Sequence, residues 1–131
     1  MSTPTLRPQI VVVDHEHRQL MSLAAGSSSD AAESLLTEME RARVVSEAKL
    51  PADAVRIGSK VQYRTDRDEV VDVTLVYPVD ADISAGKISV LTPVGAVLIG
   101  LRTGQSITWL SRDERKHVLT VLAVTQPAES A

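Results

Sequence analysis

The spacing of apolar positions changes once along the chain, near residue 57, from a helical period to an alternating one. Ile10-Val11-Val12-Val13 is a short continuous apolar run, as a buried extended segment carries. Asp14 follows where an N-cap belongs, its carboxylate able to accept a backbone N–H. His17, Leu20, Met21 and Ala24 then fall at i, i+3, i+4 and i+7, one stripe of a helix. Gly26 and the serines Ser27, Ser28 and Ser29 break it. A second stripe, Ala32, Leu35, Leu36, Met39 and Ala42, starts near Asp30, with Glu38, Glu40, Arg41 and Arg43 largely opposite. Two amphipathic helices joined by so short a turn pack as an antiparallel hairpin. The second is expected to span about 17 residues, roughly 25 Å at about 1.5 Å per residue, and the first to be shorter. Pro51 ends this part, so the expected division is a hairpin over residues 1–50 and a second domain over 51–131.

From Ile57 the side chains alternate. Val61 and Tyr63 interleave with Lys60, Gln62 and Arg64; Val71, Val73, Leu75 and Tyr77 interleave with Asp72 and Thr74, after a charged turn at residues 65–69. Pro78 stops that strand, and a loop leads to a third at Ile88-Ser89-Val90-Leu91. Thr92-Pro93 opens a short helix, Thr as N-cap and Pro in the first helical position. Ala96, Val97, Leu98, Ile99 and Leu101 make it apolar nearly all round, which predicts burial. Gly100 or Gly104 closes it. Ile107 and Trp109 mark a fourth strand, residues 111–116 a charged turn, and Val118, Thr120, Leu122 and Val124 a last strand before Pro127. The fold class is therefore α+β: a helical hairpin, then β-β-β-α-β-β. Alternation with polar partners predicts an antiparallel sheet with one solvated face and the short helix on the other. Residues 1–9, with Pro4 and Pro8, are expected to fray.

Composition narrows the function. The chain has 131 residues with no Phe, one Trp and two Tyr, so Val, Leu, Ile and Ala must build the core. A pocket that grips its ligand by ring stacking is hard to make from so few rings. Net charge is -3, and neither half carries a basic excess: 6 Lys+Arg against 8 Asp+Glu over residues 1–56, and 8 against 9 over 57–131. Proteins that hold nucleic acid through its phosphates carry such an excess, so the reading is a protein partner and no direct nucleic acid. Cys is absent, which excludes disulfides, thiolate metal sites and Cys nucleophiles. The first apolar run is four residues long, too short for a signal-peptide core or a membrane span, so a cytoplasmic protein without membrane contact is expected.

The stretch LTPVGAVLIGLRTGQSI, residues 91–107, resembles the C-terminal domain of the Gre transcript-cleavage factors, with Gln105 where that family has Asp. The preceding VTLVYP (residues 73–78) and the ending VLAVTQP (residues 121–127) resemble the Rnk branch more closely, the regulators of nucleoside diphosphate kinase. The likeness covers about residues 57–127; over 10–50 it is one of layout. It implies an FKBP-like sheet domain that docks on RNA polymerase near the mouth of its secondary channel, and a coiled coil that points into that channel. In Gre factors, acidic residues at the coiled-coil tip help hold a catalytic magnesium ion of the polymerase. Rnk-type proteins look like Gre factors with that coiled coil shortened. The implied function is a regulator that binds core RNA polymerase and competes with Gre-type factors without stimulating transcript cleavage, and is neither an enzyme nor dependent on a cofactor. Three other readings stand beside it. One is a true cleavage factor using Asp30 and Glu33. Another is a peptidyl-prolyl isomerase, suggested by topology alone and opposed by the scarcity of rings. The third is a direct modulator of nucleoside diphosphate kinase, for which the chain offers no nucleotide signature.

Two places carry the candidate chemistry. Ser28, Asp30 and Glu33 form the hairpin tip. Asp30 and Glu33 read either as a Gre-like acidic pair or as a capping box, in which Asp30 caps the helix and Glu33 reaches back to the cap N–H. Hairpin length argues against entry into a distant active site whatever the tip carries. Pro93, Val94, Gly95 and Leu98 are the expected polymerase-docking residues under the family resemblance, and the same residues read as a helix start packed on the sheet. His15-Glu16-His17 is a solvated first turn rather than a metal site, because residues two apart on a helix do not face each other. Gly95, Gly100 and Gly104 lack the spacing and the βαβ setting of a dinucleotide fingerprint.

Overall fold

The computed structural model describes residues 8–110 and 115–126. Most of the expected frayed start, most of the charged turn at 111–116, and Pro127 lie outside the described residues.

The chain opens with a short strand, β1 (Val11–Val13), which runs directly into α1 (Asp14–Ala25). The N-cap is Val13, without a side-chain cap bond. Asp14 is the first helical residue, not the cap; there it adds negative charge to the positive end of the helix dipole, as Glu16 does. A turn at residues 26–29 leads to α2 (Asp30–Arg41). Both helices have 12 residues, about 18 Å each, so the second is shorter than expected and the first is its equal. The reason lies just beyond Arg41. Ala42 is extended, with φ -71° and ψ 146°, and β2 (Arg43–Val45) pairs in parallel with β1, Val12 opposite Val44. β-Branched Val44 and Val45 favour the extended state, and β1 offers them a free edge. Glu38, expected on the polar side of α2, is buried beside Leu35 and Met39, with Arg41 Nη1 at 3.4 Å.

Among the described residues, five strands form the main sheet in the order β5-β4-β3-β7-β6. β3 (Lys60–Thr65) pairs antiparallel with both β4 (Val70–Val76) and β7 (Lys116–Thr125), and β7 pairs antiparallel with β6 (Ser106–Leu110). A bulge shifts the register between Gln62 and Tyr63, which face Ala123 and Val121. β5 (Lys87–Ser89) departs from expectation: it lies parallel to β4, Thr74 opposite Lys87 and Val76 opposite Ser89. The sheet is thus mixed, because residues 77–86 carry the chain back along the edge before β5 begins.

α3 (Pro93–Leu98) is the short buried helix that the sequence predicts. Thr92 Oγ1 accepts from Gly95 N–H at 3.1 Å and donates to Ser89 O at 2.7 Å, which satisfies one orphan donor of the first turn. One apolar cluster holds everything together. It contains Val61, Leu75, Ile107 and Val121 from the sheet, Leu98 and Leu101 from α3 and its exit, and Ile10, Leu20, Leu35 and Met39 from the N-terminal part. Backbone bonds tie the same seam: Val11 N–H to Gly100 O at 3.2 Å, Gly100 N–H to Val55 O at 2.9 Å, and Val55 N–H to Leu101 O at 2.8 Å. Gly100 has φ +83°, and a Cβ there would sit 2.7 Å from Ile10 Cβ. The residue must therefore be glycine on both conformational and steric grounds.

Candidate docking face and hairpin tip

The hairpin tip is built by its caps. Gly26 closes α1, its N–H bonding Ser22 O at 3.0 Å. Ser29 opens α2, its Oγ accepting from Ala32 N–H at 3.1 Å. The capping role thus falls to Ser29, one residue before the Asp30 and Glu33 pair expected to share it. Glu33 enters through its backbone, N–H to Ser29 O at 3.1 Å. Ser28, Asp30 and Glu33 are all exposed. Asp30 and Glu33 add negative charge to the first turn of α2, where the helix dipole favours it. No group of three or more His, Cys, Asp or Glu among the described residues is arranged to hold a metal ion.

At α3 the four expected docking residues split into two pairs. Pro93 is exposed and Val94 half-buried, while Gly95 and Leu98 lie in the core. A Cβ on Gly95 would fall 2.2 Å from the backbone oxygen of Ser89, so this glycine lets the helix start press against the end of β5. Pro93 and Val94 are what this turn presents to solvent; Gly95 and Leu98 fix their position from beneath.

Between hairpin and sheet lies a charged junction that the sequence reading missed. Arg56 Nε and Nη2 donate to Glu16 Oε2 at 3.1 and 3.0 Å, and Nη2 also donates to Glu47 Oε1 at 3.0 Å. Glu47 lies in a 3-10 turn, Glu47–Lys49, and meets His15 Nε2 at 3.2 Å. Ile57 N–H approaches Glu16 Oε1 at 3.4 Å. The Arg56 guanidinium, and after it His15, holds the Glu47 carboxyl at about 2, well below its ordinary 4.5. His17 bonds Met39 O at 2.9 Å, joining α1 to α2. Tyr77 donates to Gln19 Oε1 at 2.7 Å, joining the end of β4 to α1. Burial, and then the Glu16 charge, pushes the Tyr77 hydroxyl up. The first turn of α1 is therefore a contact between the two parts of the chain, not a solvated end. One signal in the sequence pointed there. Glu16 precedes Leu20 and Ala24 at helical spacing, so it shares their face, and a carboxylate on a buried face requires a partner.

The uncovered face of the sheet carries an open groove of about 410 Å³ with Lys60, Gln62, Asp72 and Thr125 in its lining. Gln62 donates to Asp72 across it at 3.2 Å. None of its lining residues is aromatic.

Comparison with known proteins gives a consistent result. The family described as "Transcription elongation factor, GreA/GreB, C-term" matches residues 50–126. The "Regulator of nucleoside diphosphate kinase" of Escherichia coli K12 is 38% identical over 107 residues, which cover 79% of this chain and 79% of that protein. "Transcription elongation factor GreA" of Rhodospirillum rubrum is 34% identical over 113 residues, covering 77% of this chain and 72% of that one. Among solved structures, the prokaryotic transcription elongation factor GreA/GreB from Nitrosomonas europaea superposes with a TM-score of 0.72 at 33% identity, covering 91% of this chain and 99% of that chain.

Proposed function

This chain belongs to the GreA/GreB transcription elongation factor family, in the branch of the regulators of nucleoside diphosphate kinase, and from that premise we propose that it binds core RNA polymerase as a non-catalytic regulator. In this reading residues 51–131 are the docking domain and residues 1–50 the finger. Pro93 and Val94 sit on the polymerase near the mouth of the secondary channel, and the finger points inward. The observation that carries the proposal is the size of that finger. Two helices of 12 residues reach about 18 Å, so the tip carboxylates of Asp30 and Glu33 stop short of the polymerase metal. The protein then occupies the dock of a cleavage factor without delivering its chemistry. A cytoplasmic location follows from such a partner, and no described helix is long and apolar enough to cross a membrane.

Purified core polymerase tests this directly. The protein is expected to displace a Gre-type factor, to suppress that factor's transcript cleavage in stalled complexes, and to stimulate none itself. No association at micromolar concentration would sink the proposal. A cleavage-factor reading keeps one observation in its favour: Asp30 and Glu33 are both exposed at the tip. It requires shortened nascent RNA with this protein alone, lost on Asp30→Ala. The isomerase reading gains nothing from the open groove, which has no aromatic wall.

A further inference from the structure

We infer that the segment joining β4 to β5 is a second contact surface, which seats Val79 and Ile83 in an apolar depression rimmed by basic side chains on the polymerase. This rests on the polymerase reading above.

Hydrogen bonds hold the segment along its length. Pro78–Asp80 and Ile83–Ala85 are two 3-10 turns. Asp82 and Lys87 exchange both backbone hydrogen bonds at 2.9 Å. Asp82 Oδ1 accepts from Ser84 N–H at 3.1 Å and from Ser84 Oγ at 2.7 Å. Thr74 N–H donates to Gly86 O at 2.8 Å. The segment lies along β5 and covers an edge of the sheet, a task that polar residues perform at least as well. Instead, Val79 is 89% exposed and Ile83 79% exposed, well above Val70 at 53% and Val44 at 44%. Two large aliphatic side chains held on one hydrogen-bonded segment bury little surface within this chain, and their backbone loses little entropy on binding.

Charge selects the occupant. Asp80 and Asp82 flank the two aliphatic residues, and no Lys or Arg precedes Lys87 in this segment. A second copy meeting this surface by two-fold symmetry would bring the same two aspartates to the contact, with Lys87 the one basic residue of the segment. An anionic lipid surface repels it as well. A protein surface with an apolar centre and a Lys/Arg rim satisfies both features.

Position points to the same partner. β4 and β5 are parallel, and Val90 N–H bonds Val76 O at 2.9 Å, so the two strands end side by side. The Pro78–Asp80 turn leaves from one strand end and the run to Pro93 leaves from the other. Val79 and Pro93 therefore depart from the same end of the sheet, while Ile83 lies back along β5, next to the Asp82–Lys87 pair at its start.

The test uses the full chain and core RNA polymerase. Val79→Ser/Ile83→Ser should melt close to the wild-type temperature, because both side chains are largely exposed, and should bind core polymerase at least about tenfold more weakly. Asp80→Lys should slow association most at low salt. If Val79→Ser/Ile83→Ser binds as wild type while Pro93→Ala/Val94→Ser is impaired, the second contact is wrong and the polymerase reading stands. If wild type fails to bind polymerase, both fall. A wild-type dimer in light scattering that Val79→Ser/Ile83→Ser dissolves would assign the surface to a second copy instead.

Discussion

Arg56 joins three separate stretches of the chain, its planar guanidinium donating to Glu16 from two nitrogens and to Glu47 as well, a fork that the point charge of a lysine lacks. Its side chain is 19% exposed and that of Glu16 is 9% exposed, so removing the cation strands a carboxylate with little water to replace it. Arg56→Ala is expected to cost about 2–3 kcal/mol, somewhat below the loss typical of a fully buried pair. Glu16→Leu in the Arg56→Ala background should recover part of that, which a double-mutant cycle in urea would measure. Glu47 contributes differently. Its folded carboxyl lies at about 2 against an ordinary 4.5, so it binds its proton less readily in the folded state than in the unfolded one. A lowered carboxyl stabilises above the unfolded value, and that contribution disappears as pH falls from about 4.5 towards 2. Wild type should exceed Glu47→Gln in melting temperature near neutrality, with the difference vanishing across that window. The difference should stay below about 1 kcal/mol, because the Glu47 side chain is 59% exposed and solvent screens the pair. Glu16 was legible as an anomaly on an apolar stripe. Its partner 40 residues on was not, since tertiary packing alone brings the two together.

Elements were legible where local chemistry fixed them. Thr92-Pro93 before an apolar run gave α3, and strict alternation gave β3 and β4. Two features were hidden. Residues 43–45 continue the chain from a helical stripe, and only pairing with β1 decides that they extend. Likewise, three residues of β5 carry no mark of strand direction; the path of residues 77–86 sets it. The tip shows the same limit at finer grain, because Ser29 and Asp30 are both good caps and the turn geometry chooses the serine. α3 yields a sharp prediction. Thr92→Ala removes a cap and should cost about 1 kcal/mol. Gly95→Ala should cost about 3 kcal/mol, because its Cβ meets a backbone oxygen at 2.2 Å and not a side chain able to turn away. Since Pro93 and Val94 ride on this turn, Gly95→Ala should also weaken polymerase binding.

An apolar stripe tells that a face is covered but not by what, and so the sequence left open how hairpin and sheet meet. They share one core, with Leu35 and Met39 of α2 in the same cluster as Leu98, Leu75 and Ile107. The seam at Gly100 leaves no slack, with the Ile10 side chain against it and backbone bonds to Val11 and Val55 on its two sides. A hairpin built into the core of the sheet domain cannot swing independently, so under the docking proposed above its direction is set when that domain binds. The same coupling governs unfolding. Leu35→Ala opens a cavity in a fully buried site and should cost about 2–5 kcal/mol. Were the hairpin a separate unit, that loss would appear in helical circular dichroism and leave Trp109 on β6, stacked on His117 at 5.3 Å, untouched. A common core requires the opposite: far-ultraviolet ellipticity and Trp109 fluorescence should fall together in wild type, and both should shift by the same amount in Leu35→Ala. Two resolved transitions, with only the helical one moving, would mean that the finger is hinged and that occupying the dock does not by itself aim it.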